Sequence, residues 1–154
     1  MIKVTKLLYT LSILTFLTIL LYVYAFLPNQ FGVFFEPNGT ASILIYRADF
    51  FYAALGLFVL TNGSILLYRK MNRGHLNLDK SDFEDMSSAE LVYHWLMGLS
   101  FVINVIYIFS IMFVGMYHNS EHFDIANYVA LIYIGPVLLA GWIFWFIYLQ
   151  FSRR

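Results

Sequence analysis

Four long apolar runs, separated by three more polar segments, make up 92 of the 154 residues: 7–27, 50–68, 93–117 and 125–151. A helix needs about 20 mostly apolar residues to cross a bilayer, and none of these runs holds Asp, Glu, Lys or Arg in its central part. Strands of a membrane barrel would be about ten residues long with strict alternation. These runs are longer and apolar on all sides. The pattern predicts an all-α polytopic membrane protein, a single four-helix transmembrane domain over residues 1–154. Pro28 closes the first run, and Arg69 with Lys70 closes the second. Lys3 and Lys6 before the first run resemble the charged start of a signal peptide. The run is longer than the usual 7–15 residues and no small-x-small site precedes Pro28, so a retained anchor is expected.

The segment at 28–49 has its own pattern. Turn residues Pro28, Asn29 and Gln30 lead into an apolar stretch from Phe31 to Phe35, and Pro37, Asn38 and Gly39 lead into a second from Ile43 to Tyr46. Two β-prone stretches around such a turn predict a short hairpin between the first two helices. Exposed apolar patches tend to mark contacts, which makes Phe31, Phe34 and Phe35 candidates for touching a partner or the membrane surface. The alternative is a loop packed on its own bundle. Asn38-Gly39-Thr40 is a formal glycosylation sequon, expected to be unused. The polar loop at 69–92 holds Ser81 with Glu84 and Ser87 with Glu90, both at capping-box spacing. The second pair predicts that the third helix starts near Ser87.

Basic residues set the orientation. With both termini inside, eight of the nine Lys and Arg residues (Lys3, Lys6, Arg69, Lys70, Arg73, Lys80, Arg153 and Arg154) lie on the cytoplasmic side and one, Arg47, outside. The positive-inside rule therefore predicts an N-in/C-in topology with the hairpin facing out.

Composition sharpens the class. The chain is 61% hydrophobic and 12% charged, with a mean hydropathy of +0.73, against roughly 25% charged in a soluble domain. A globule this small cannot bury that much apolar surface, so soluble enzymes, disordered tails and nucleic-acid binders are excluded. Nine basic and nine acidic residues cancel, and cysteine is absent, which removes disulfides, zinc thiolates and thiol catalysis.

Candidate chemistry is sparse. Asn62 and Asn104 are the most polar groups at depth, and amides in lipid usually act as glue between helices, worth about 0.6–2 kcal/mol each. Arg47 and Asp49 flank the outer start of the second helix, where Asp49 suits a cap or first turn and Arg47 suits headgroups; a partner-binding ion pair is the sharper alternative. His118 and His122, with Glu121 and Asp124 beside them, have i,i+4 spacing that would suit a metal on a continuous helix. A turn is expected there, so no metal is assigned. No His pair lies at matching depth for haem, and no phosphate loop, HExxH or GxSxG motif occurs. No cofactor and no enzymatic activity are expected. Ala126 and Ala130 form a small-xxx-small pair that permits close helix packing, and Pro136 should kink the fourth helix. Trp142, Phe144, Trp145 and Phe146 make that helix bulky nearly all round, with Trp142 and Trp145 as candidate partner contacts.

The stretch from Leu27 to Phe35 with Gly39 resembles a pattern after the first span of the SdpI-like family of small bacterial multi-span membrane proteins, named for an immunity protein against a secreted peptide toxin. Leu27, Pro28, Phe35 and Gly39 match, as does Arg47 with Phe50 and Phe51; Phe34 stands where the family has His, and Ser42 where it has Asp. The likeness covers residues 27–51 and implies a bacterial inner-membrane setting. Taken together, the sequence predicts a non-enzymatic accessory or stabilising subunit of a larger membrane complex, in contact with lipid and other membrane subunits. The alternative is a peptide-sensing signalling or toxin-immunity protein. A small transporter or channel subunit ranks third, because the spans lack charge.

Overall fold

A computed structural model describes residues 2–35, 41–73, 87–118 and 130–151. The order is α1 (Ile2–Phe26), β1 (Gln30–Phe35), β2 (Ala41–Tyr46), α2 (Arg47–Asn72), α3 (Ser88–Tyr117) and α4 (Ala130–Phe151). The protein is an integral membrane protein, all-α apart from one small antiparallel ribbon. Each helix is long and apolar enough to cross a bilayer; at 1.5 Å per residue they extend about 33–45 Å, against a hydrocarbon core of about 30 Å. α1, α2 and α3 start before their apolar runs because a helix continues through interfacial residues once lipid has forced its backbone to bond internally. Hence α1 takes in Lys3 and Lys6, and α2 takes in Arg47, Arg69 and Lys70.

Local chemistry fixes two of the helix starts. Ser87 caps α3: its hydroxyl accepts from the Glu90 N–H while Glu90 Oε2 accepts from the Ser87 N–H, a complete capping box. α2 follows β2 directly, with extended Tyr46 as N-cap and no side-chain cap; Asp49 is the acid of its first turn, where the N-terminal helix dipole favours it.

α1 buries a stripe of Tyr9, Ser12, Phe16, Leu20 and Val23, continued by Leu27 just past its end, spaced three and four residues apart, as one face of a helix requires. Phe16 is fully buried and stacks on Phe58 of α2 with ring centroids 3.9 Å apart. Ser12 meets Asn104 and Val23 meets Gly115, so α1 and α3 run parallel. α2 runs antiparallel to them, since Phe58 faces Phe16 and Phe51 faces Tyr24. α4 packs antiparallel on α3, with Trp142 against Gly98 and Gly135 against Ile106. A Cβ on Gly98 would overlap the Trp142 indole, so the absent side chain is what lets the ring in. α4 continues as a helix through Pro136.

The ribbon pairs Gln30 with Tyr46, Phe31 with Ile45 and Gly32 with Leu44, then slips around Val33 so that Phe34 meets Ile43. Such a bulge bends a strand and blunts its edge. An isolated two-stranded ribbon is marginal in water. This one is tied down by buried Phe31, which joins the apolar core and meets Phe50 edge-on at 5.5 Å, and by the Arg47 N–H donating to the Asn29 carbonyl. The turn residues at 36–40 lie outside the described residues.

Candidate functional site

The deepest polar feature is a hydrogen-bonded junction of α1, α2 and α3. Asn62 Nδ2 donates to Asn104 Oδ1 at 2.8 Å and to the Phe58 carbonyl at 3.0 Å. Asn104 Nδ2 donates in turn to Ser12 Oγ at 3.0 Å, and the Ser12 hydroxyl donates to the Tyr9 carbonyl at 2.7 Å. All three side chains are buried, Asn104 completely. Nearby, Thr61 Oγ1 and Tyr107 Oη stand 2.8 Å apart, a second bond between α2 and α3. Neutral amides and hydroxyls that end on backbone carbonyls hold helices together. One acceptor, Asn62 Oδ1, is buried without a partner.

Sequence reasoning singled out Asn62 and Asn104, and the structure brings them into direct contact. Ser12 gives no such signal in the sequence, since a hydroxyl on any face of a helix can bond its own backbone.

At the hairpin end, Arg47 lies 5.1 Å above the Tyr24 ring centroid in a cation–π contact. It is half-buried, whereas Asp49 is exposed. His118 follows the last turn of α3 and packs on Phe31, with ring centroids 4.7 Å apart. Burial pushes its imidazole below the ordinary range, while a hydrogen bond to the Gly32 backbone opposes the shift. His122, Glu121, Asp124 and Ala126 lie outside the described residues, as do the side chains of Phe34, Phe35 and Ala130. Among the described residues no three His, Asp or Glu converge as metal ligands. Trp142 is turned inward onto α3, where its backbone carbonyl accepts from Trp95 Nε1 at 3.3 Å. Trp145 points away and is 46% exposed.

The other polar cluster, at the opposite end of the bundle, escaped sequence reasoning. Tyr9 Oη, Arg69 Nε and His94 Nε2 are buried there without hydrogen-bond partners. Arg69 and the lysines read naturally as orientation signals, and Tyr9 as part of an aromatic belt, so only their convergence in space reveals the cluster. The chain was compared with family models, curated proteins and solved structures, and nothing in any of the three matches it.

Proposed function

We propose that this protein is a non-enzymatic accessory or stabilising subunit of a larger complex in a bacterial inner membrane, with both termini cytoplasmic and α4 as its docking helix. The observation that carries this reading is how little of α4 is covered: 6% of its span is buried within the chain, against 11%, 22% and 33% of the α2, α1 and α3 spans. The uncovered surface is bulky and aromatic, with Tyr133, Phe144, Trp145, Tyr148 and Phe151 exposed. Aromatic anchors of this kind dominate protein contacts. The test is extraction from native membranes in mild detergent, with mass spectrometry of what stays bound at fixed stoichiometry. A stoichiometric membrane partner that is lost when Phe144 and Tyr148 are changed to Ala supports the reading. A lone small oligomer overturns it.

A second reading, peptide sensing or toxin immunity at the hairpin, draws on Val33, Ile43 and Leu44, which are exposed on the ribbon, and on the resemblance at residues 27–51. Changing these three to Ser leaves the Phe31 anchor in place. If the reading holds, protection against the peptide is lost while the bundle stays folded; unchanged protection would sink it.

A further inference from the structure

Where α1 and α3 begin and α2 ends, side chains from three helices gather around unused hydrogen-bonding groups. Arg69 places its guanidinium carbon 4.3 Å from the Tyr93 ring centroid, and the Tyr93 ring meets the His94 imidazole edge-on at 5.5 Å. The Arg69 charge is felt at both Tyr9 and His94, and the Lys6 charge at His94. Three polar atoms of this cluster, Tyr9 Oη, Arg69 Nε and His94 Nε2, are buried without a partner. Nearly all buried polar groups in proteins are satisfied, so three orphans on neighbouring helices at one end of a small bundle call for a ligand.

The chemistry selects the ligand. Guanidinium and phenol donate, an imidazole nitrogen donates in one tautomer, and Lys6 adds an exposed ammonium. The nearby carboxylate, Glu90, has Oε2 engaged by the Ser87 N–H at 2.6 Å. Among the described residues, Arg69 and Lys6 against Glu90 leave one net positive charge, which disfavours a cation. Donors approaching from three helices surround a tetrahedral group with several oxygens better than a flat carboxylate, and a guanidinium edge takes two such oxygens side by side. We propose that Arg69, Tyr9 and His94 form a binding site for a phosphate group, with Arg69 as its main anchor. The site lies at the bundle end that the basic residues predict to be cytoplasmic, where basic pockets between transmembrane helices meet anionic headgroups. It is independent of the docking reading for α4.

The test is thermal unfolding of the purified full chain in a neutral detergent, titrated separately with phosphatidylglycerol, phosphatidylcholine and inorganic phosphate. Phosphatidylglycerol at a hundredfold excess over Kd should raise Tm by about 5–10 °C. Arg69→Gln should abolish the shift, and Tyr9→Phe, which keeps the ring, should weaken binding about tenfold. Changing the exposed Lys70 and Arg73 to Gln should leave the shift in place. If Arg69→Gln does not fold, Tyr9→Phe still decides. A shift from inorganic phosphate alone identifies a soluble phosphate source for the site; a shift only with phosphatidylglycerol identifies the lipid. No shift from either, or equal loss in the Lys70 and Arg73 variant, would mean general surface charge and overturn the proposal.

Discussion

Asn104 carries no charge, yet its carboxamide joins three helices: it accepts from Asn62 of α2 and donates to Ser12 of α1 while sitting on α3. Lipid offers no replacement for either bond, so removing the amide costs each neighbour one bond. Asn104→Ala should cost about 1–3 kcal/mol, and Asn62→Ala less, because Asn62 sits on the rim of the junction with its Oδ1 already unpartnered. A double-mutant cycle on the pair should give a coupling of about 0.6–1.7 kcal/mol, read from unfolding in micelles or bicelles; additive losses would show that the bond contributes nothing. Both amides stand out in the sequence because Asn is costly in hydrocarbon. Ser12 does not, for a physical reason. Thr10, Thr18, Thr61 and Ser64 all donate to the carbonyl four residues back, a bond any helical hydroxyl can make in lipid. Only the direction of the buried stripe tells which hydroxyl also serves a neighbour.

Among the elements, the hairpin is the one whose docking depends on a titratable contact. His118 lies outside the span, packed on Phe31. Its imidazole is held below the ordinary value of 6.5 chiefly by burial, so the docked state favours the neutral ring and the undocked state takes up the proton first. Docking is therefore fully stable above about pH 6.5 and weakens as pH falls through that value toward the lowered one. Hydrogen exchange at the Phe31 and Gly32 amides should accelerate between pH 8 and pH 5 beyond the intrinsic rate change. His118→Phe, which keeps a ring against Phe31, should flatten the response; a wild-type response equally flat would rule out the contact as a pH-dependent clasp. The ribbon itself was legible, because apolar stretches on either side of a Pro-Asn-Gly turn have few other solutions. Its bulge at Val33 was not, since register depends on how Phe31 and Ile45 seat on the helices below. The start of α3 was readable from Ser87 and Glu90 alone, since a capping box is a local device. The inward faces of the helices were not readable: lipid and core are equally apolar, so a buried Leu20 and an exposed Leu21 look alike in sequence.

α3 is the helix on which the others assemble: α1 and α2 join it through the amide junction and each other through the Phe16–Phe58 stack, and α4 packs on it through Trp142 and Gly135. Four crossings put both termini on one side of the membrane, and the basic residues predict that side to be cytoplasmic. The absence of native cysteine makes this directly measurable. Asn29→Cys in intact cells should react with an impermeant maleimide and Ser152→Cys only after lysis; the reverse would invert the topology. The same property allows the two packings to be told apart. A Cβ on Gly115 would lie 3.5 Å from Val23 Cβ, and one on Gly135 would lie 3.8 Å from Ile106 Cβ, both within disulfide range. The pairs Val23→Cys with Gly115→Cys, and Ile106→Cys with Gly135→Cys, thus report the α1–α3 and α3–α4 contacts separately. Gly98→Ala puts a methyl where the Trp142 indole sits, an overpacking worth about 1–3 kcal/mol, and in lipid no hydrophobic force pulls α4 back. Cross-linking of the second pair should fall sharply in Gly98→Ala while that of the first persists, and adding Trp142→Ala should restore it. Parallel loss of both cross-links would mean that α4 is integral to the core, and its exposed aromatic face could not then be a separately held docking helix.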